Sequence, residues 1–191
     1  ESLGGDPATL DPQANQFIAQ YLFSSGRLAE LQNDLPTAAE RYQRAIDWSE
    51  SVIAIRPDIV PLQISLEVEL RAAGRVCGSR GDMAGARKYL ARAIEIEDGL
   101  LARGVKYLDA DTRLRDALVM FAQACLELGD LEAAEAATAR LSSLTPQFQV
   151  ANRQASTLYL AIARKLTDPA RHAEALQHAL DLAIHAKELL A

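Results

Sequence analysis

The stretches AELQNDLPTA (29–38), CGSRGDMAGA (77–86) and CLELGDLEAA (125–134) decide the fold, because they repeat one pattern every 48 residues. In each stretch an aspartate follows a glycine or an asparagine, and an alanine stands four residues after the aspartate. The three aspartates are Asp34, Asp82 and Asp130. Agreement at these fixed offsets predicts an internal repeat that organises the whole chain.

Each stretch predicts a tight turn between two helices. The aspartate is expected to accept a hydrogen bond from an unpaired N–H group at the start of the second helix. The residue before it (Asn33, Gly81 or Gly129) tolerates the left-handed backbone of such a turn. Small residues lie eight positions before and four positions after each aspartate, where the two helices are expected to cross. They are Gly26, Gly74 and Ala122, and Ala38, Ala86 and Ala134.

A fourth hairpin follows the pattern less closely. Thr145-Pro146 predicts a cap followed by proline at the first helical position, and Asp168-Pro169 predicts the start of the last helix. His172 stands where the repeat has alanine. Terminal units of repeat proteins often deviate in this way, because one of their faces meets water.

The sequence therefore predicts an all-α fold of four helical hairpins. Residues 1–13, with Gly4, Gly5, Pro7 and Pro12, are expected to be a flexible segment before a repeat domain at 14–191. The predicted units are 14–57, 58–107, 108–144 and 145–191. The predicted helices are 14–31, 34–55, 60–79, 82–105, 110–128, 131–143, 146–165 and 168–190.

The third unit carries the fullest set of characteristic positions, namely Leu118, Phe121, Ala122, Gly129, Asp130, Ala134 and Pro146. This set resembles the tetratricopeptide repeat (TPR), and the resemblance covers roughly residues 14–190. The family repeat has 34 residues, and the 14 additional residues here are close to four helical turns. We therefore expect longer helices and no inserted loops. Repeats of this length are similar to those of bacterial multi-domain signalling proteins.

The resemblance implies a right-handed α-solenoid whose concave groove is lined by the first (A) helix of each hairpin. In this family the groove usually holds a peptide or a helix of another protein. The groove positions of the family correspond here to Gln20, Phe23, Arg27, Arg71, Arg75, Gln123, Gln154 and Arg164. Arginine binds carboxylates through two hydrogen bonds, so an acidic segment or a free C-terminus is the expected partner. Solvated charges on amphipathic helices are the competing interpretation of the four arginines.

A structural role is the alternative function. The array could drive self-association, or serve as an oligomerisation or regulatory domain attached to a signalling protein such as a bacterial kinase. The last helix is unusually apolar and has no following repeat to cover it. Its apolar residues are Leu176, Ala179, Leu180, Ala183, Ala186, Leu189 and Leu190. Because the chain starts at Glu1 without a methionine, we expect it to be part of a longer protein.

Several classes of function find no support in the sequence. The net charge of −6 disfavours nucleic acid as a partner, and no apolar stretch reaches the roughly 18 residues of a membrane span. Phosphate-loop, metalloprotease, nucleophile-elbow and dinucleotide motifs are absent, so no enzyme activity and no cofactor are predicted. His178, Asp181 and His185 could share one helical face, but surface positions are the simpler interpretation, and no metal site is predicted.

The two cysteines, Cys77 and Cys125, occupy equivalent positions of neighbouring units. Neighbouring helices pack about 8–10 Å apart, which exceeds the Cα separation that a disulfide allows. Buried thiols are therefore expected, with a redox role as the alternative. Unpaired cysteines favour a reducing compartment, so a cytoplasmic location is expected. Arg80-Gly81-Asp82 spells a cell-adhesion tripeptide, but its glycine and aspartate are already explained by the turn and the cap.

Overall fold

The computed structural model describes residues 7–144 and 148–189. Within these ranges the chain forms eight α-helices and no β-strand, which confirms the predicted all-α class. The helices are α1 (Pro12–Leu31), α2 (Leu35–Ile55), α3 (Val60–Ser79), α4 (Met83–Ala102), α5 (Ala110–Leu128), α6 (Leu131–Leu144), α7 (Gln149–Lys165) and α8 (Pro169–Glu188).

The chain divides between Lys106 and Tyr107 into two compact units. Unit 1 holds two antiparallel hairpins, α1/α2 and α3/α4, and its α3 packs against both α1 and α2. Unit 2 holds the hairpins α5/α6 and α7/α8, and its α7 packs against both α5 and α6. Each unit therefore places two A helices, α1 and α3 or α5 and α7, next to each other.

The three predicted turns share one geometry. Asn33, Gly81 and Gly129 have φ angles of 60°, 79° and 78°, in the left-handed region that the sequence predicted. The carboxylates of Asp34, Asp82 and Asp130 accept hydrogen bonds of 3.1, 2.9 and 3.1 Å from the N–H group three residues later. Their own N–H groups donate 2.9 Å bonds to the carbonyls of Ala29, Cys77 and Cys125. The repeat thus encodes both the end of one helix and the start of the next.

Long helices account for the 48-residue spacing. Helices α1 to α5 have 19 to 21 residues each, so the additional residues extend helices, as predicted. Helix α1 begins at Pro12 with Asp11 as its cap, earlier than the predicted residue 14. The side-chain amide of Asn15 also donates to the carbonyl oxygen of Pro7, at 3.1 Å, so the end of the segment predicted to be flexible is tied to the helix.

The fourth hairpin departs from its prediction at one end. Helix α7 begins at Gln149, three residues later than predicted, and the Thr145-Pro146 pair lies outside the described residues. Phe148 precedes the helix and is 53% exposed. At the other end, Asp168 caps α8 as predicted, accepting a 2.8 Å bond from the Arg171 N–H group.

Two glycines set how closely the helices of unit 1 approach. A Cβ atom on Gly26 would lie 2.7 Å from the ring of Tyr42, and one on Gly74 would lie 2.7 Å from Cγ of Leu90. Tyr42 and Leu90 are almost fully buried, so neither has room to move away. The small residues are therefore required by the crossing of each hairpin, as the repeat pattern predicted.

We predict that Gly74→Ala lowers the free energy of unfolding by about 1–3 kcal/mol, because the added methyl group overpacks the α3/α4 crossing. Gly78→Ala, one turn further along α3, is the matched control. Its Cβ atom would meet only Cβ of Ala86, at 4.0 Å, so the helix propensity of alanine should raise stability by up to about 1 kcal/mol. Urea unfolding of the three proteins tests this, and equal effects of the two substitutions would contradict the assigned crossing.

A buried carboxyl group lies between α2 and α3. The side chain of Glu69 is almost fully buried, and its Oε1 accepts a 3.1 Å hydrogen bond from the Ser49 hydroxyl. Loss of solvation raises the pKa of Glu69 from 4.5 to about 8, against the opposing effect of the Ser49 bond. The folded chain thus keeps this proton at pH values at which the unfolded chain has lost it.

We predict that the stability contributed by Glu69 is largest below pH 4.5 and falls as the pH rises towards 8, since the folded state binds the additional proton in that window. Glu69→Gln keeps a neutral hydrogen-bonding group there. It should stabilise the chain at pH 7.5, by on the order of 3 kcal/mol, and change little at pH 4.5. Thermal unfolding across this pH range measures the difference, and a gap that does not grow with pH would refute the buried neutral carboxyl.

Candidate functional site

The helices of unit 1 bring two of the predicted groove residues, Phe23 and Arg75, into a cluster around Glu30. The Phe23 ring packs against the Tyr42 ring with centroids 5.5 Å apart. The Tyr42 hydroxyl donates a 2.8 Å hydrogen bond to the Glu30 carboxylate. Arg75 donates to the same carboxylate at 3.0 Å and forms an ion pair with it. Phe23 and Arg75 therefore also tie α1, α2 and α3 together.

Arg71 is engaged within its own helix. Its Nε donates a 3.0 Å hydrogen bond to Oε1 of Glu67, whose side chain is 1% exposed. Both arginines of α3 thus already neutralise acidic groups of this chain. The sequence placed these arginines in a groove but gave no sign of the two glutamates, because glutamate is a residue type that is usually exposed to solvent.

Gln20, Arg27 and Arg75 are the exposed members of the predicted set in unit 1. Gln20 donates a 3.4 Å hydrogen bond to Ser24 on the same helix. Burial, and in second place the positive charge of Arg27, lower the pKa of Arg75. The positive charge of Arg27 thus acts on Arg75, whose direct partner is the Glu30 carboxylate.

In unit 2 an open cleft of about 370 Å³ separates the A helices α5 and α7. It brings together Gln123 from α5 and Gln154 from α7, two of the predicted groove residues, with Arg153, which was not among them. Arg164 lies in the last turn of α7 and is not part of this lining. The cleft is lined by Val119, Gln123, Val150, Arg153, Gln154, Thr157 and Leu158.

Arg153 also borders a second cleft, of about 420 Å³, between α7 and α8. Lys187 of α8 lines that cleft together with Ser156 and Thr157. Among the described residues that line the two clefts, two side chains are cationic and none carries a carboxylate. Arg153 therefore stands on a ridge from which its guanidinium can reach an anionic group placed in either cleft.

The chemistry of the cleft suits an extended peptide. Glutamine amides can donate and accept, so Gln123 and Gln154 can pair with peptide N–H and C=O groups. The side-chain oxygen of Gln154 is buried and has no hydrogen-bond partner among the described residues. A buried acceptor without a partner is costly, and a donor from a bound chain would satisfy it. The adjoining Val119, Val150 and Leu158 offer apolar contact.

Two of the histidines of α8 and both cysteines are held by contacts within the fold. His178 packs edge-on against Tyr159 with centroids 5.0 Å apart, and Nδ1 of His172 lies 2.9 Å from the Ala163 carbonyl oxygen. In the part of the chain that the structure describes, no three histidine, cysteine or acidic side chains are grouped so that they could hold a metal ion. Cys77 and Cys125 are buried and form no disulfide there, and burial raises the pKa of the Cys77 thiol.

Comparisons with known proteins identify no family. No protein-family model matches the sequence, and no curated protein is significantly similar to it. Among solved structures, a chain described as "DHF46 filament" is similar with a TM-score of 0.38 and 13% identity. The match covers 94% of this chain and 99% of that chain. A similarity at this level carries no argument about function.

None of the helices in the described ranges combines the length and the apolar character that a bilayer span requires.

We predict that Arg75→Glu lowers the free energy of unfolding by about 1–2 kcal/mol, because it places a second negative charge beside Glu30. The control is Arg92→Glu, which breaks the more exposed pair of Arg92 with Glu50 and should cost less than about 1 kcal/mol. Urea unfolding at low salt measures both. Equal costs would show that the Glu30 cluster adds no more than an ordinary surface pair, and charge reversal at Arg75 would then be a clean test of binding.

Proposed function

We propose that this chain is a TPR-like interaction module that binds a peptide segment of another protein along its A helices. The observation that carries the proposal is the cleft between α5 and α7, where Gln123, Gln154 and Arg153 line one space together with apolar side chains. The all-α fold, the repeated hairpin turns and the adjacent A helices within each unit support it. A right-handed solenoid, a cytoplasmic location and the absence of catalysis belong to the same proposal.

The bound segment carries a negative charge. Arg153 and Lys187 line the clefts, and no described residue of either lining carries a carboxylate, so an incoming aspartate, glutamate or C-terminal carboxylate can form ion pairs with both. In unit 1, by contrast, Arg71 and Arg75 already bind Glu67 and Glu30. The anchoring of the acidic group is therefore assigned to unit 2.

A peptide selection tests this function and reports which ligand sequences the chain prefers. A displayed library of unstructured peptides, with free and with internal C-termini, is panned on the 191-residue chain. We predict enrichment of peptides that combine an acidic group with a hydrophobic side chain, and weaker binding at higher ionic strength.

Two charge reversals on α7 provide a matched pair for the enriched peptides. Arg153→Glu should weaken binding at least about tenfold, which corresponds to about 1.4 kcal/mol. Arg164→Glu changes the charge equally on an exposed arginine outside the cleft and should leave the affinity within about twofold. Fluorescence anisotropy gives both values. Selection without acidic preference, or equal losses in the two variants, would exclude the cleft as the binding site.

A further inference from the structure

Helix α1 exposes an apolar stripe on the side opposite its core. Phe17, Tyr21, Leu28 and Leu31 are 66%, 59%, 57% and 81% exposed. With Ser24 in the middle, these residues follow one another at spacings of four, three, four and three. This spacing places all five on one face of the helix. We call these five residues the α1 stripe. The core-facing side of the helix is formed by Ala19, Leu22, Gly26 and Ala29.

The α1 stripe is distinct from the surface assigned to peptide binding. Phe23 and Glu30 lie on a different side of α1, where they contact Tyr42 and Arg75. The peptide cleft belongs to α5 and α7 in the other unit. A contiguous row of large exposed apolar side chains on one helix is a feature of surfaces that bind a partner.

We propose that the α1 stripe is a homodimer interface, in which α1 pairs with α1 of a second copy in antiparallel orientation about Ser24. The stripe is self-complementary about this residue. Its N-terminal half carries the two aromatic rings, Phe17 and Tyr21, and its C-terminal half carries Leu28 and Leu31 at nearly mirrored distances. A two-fold axis at Ser24 therefore places rings against leucines twice, and the small serine allows the helices to approach at the crossing.

The charged residues of α1 favour the antiparallel orientation of the proposed helix pair over the parallel one. The only charged side chains of α1 are Arg27 and Glu30, and Glu30 is bound within its own chain. In a parallel pair Arg27 would face its own copy across the seam. In the antiparallel pair it faces the region of Gln20, an uncharged residue, so no like charges are opposed.

The area is sufficient for a dimer. The exposed parts of the four large side chains amount to roughly 500 Å² per copy, and hence on the order of 1,000 Å² for the pair. This area is close to the roughly 1,000 Å² that a biological interface should reach, and it corresponds to a weak dimer. Helix α8 also exposes Leu180 at 54%, but the charged Asp181 and Lys187 lie beside its apolar residues.

Sedimentation equilibrium from about 1 to about 200 µM measures the assembly. The unchanged chain should show twice the monomer mass at the upper end. Leu28→Glu should raise the dissociation constant at least about a hundredfold, and Tyr21→Ser should raise it at least about tenfold, because each removes apolar contact on both sides of the axis. Leu180→Glu on α8 is the matched control, with nearly the same starting exposure, and should leave the constant unchanged.

A cross-link tests the orientation independently. Ser24→Cys should form a disulfide-linked dimer on mild oxidation. The two cysteines would face each other at the two-fold axis, and at such a crossing the facing Cα atoms lie closer together than the helix axes, within the separation that a disulfide needs. Ser79→Cys, an exposed position on α3, should react at least about tenfold more slowly. A monomer at all concentrations, loss of the dimer in Leu180→Glu, or equal cross-linking of the two cysteine variants would overturn the proposal. Loss of the dimer in Leu180→Glu would instead indicate that copies of the chain associate head to tail through α8.

Discussion

The rest of the structure depends on one constraint, the close packing of two helices in each hairpin of unit 1. In each hairpin a small residue contacts one large buried side chain. Gly26 against Tyr42, and Gly74 against Leu90, leave no room for even a Cβ atom. This close approach fixes how deeply the two helices interlock, and the capped turn fixes where each helix ends. Together they determine which residues of an A helix point inwards and which remain available to a ligand or a partner.

Tyr42 links this packing constraint to the surface. Its ring fills the space that Gly26 leaves, and its hydroxyl reaches the Glu30 carboxylate, which also holds Arg75 of the next hairpin. Burial raises the pKa of this hydroxyl, so it remains a hydrogen-bond donor at neutral pH. One tyrosine therefore joins the crossing of the first hairpin to the contact between hairpins, and a predicted groove arginine becomes part of the scaffold.

The two units differ in how their charges are satisfied. In unit 1 the arginines of α3 bind glutamates of the same unit, and the surface that stands out is the uncharged, apolar stripe of α1. In unit 2 the described lining of the clefts beside α7 includes Arg153, Lys187 and the buried oxygen of Gln154, and none of its side chains is acidic. These differences support the assignment of self-association to the first unit and of acidic peptide binding to the second.

By itself, the sequence determined the all-α class, the three turns and seven of the eight helix starts to within about two residues. It could do so because caps, left-handed turn residues and small crossing residues are local requirements that recur every 48 positions. The predicted start of α7 was wrong by three residues. Phe148, which precedes the observed helix, makes no side-chain capping bond that the sequence could have signalled. Only the tertiary structure showed that Arg71 and Arg75 bind Glu67 and Glu30, that Arg153 borders two clefts, and that the described residues leave the apolar face of α1 exposed. These facts depend on which side chains of distant helices meet, and the spacing of residues along one helix cannot specify that.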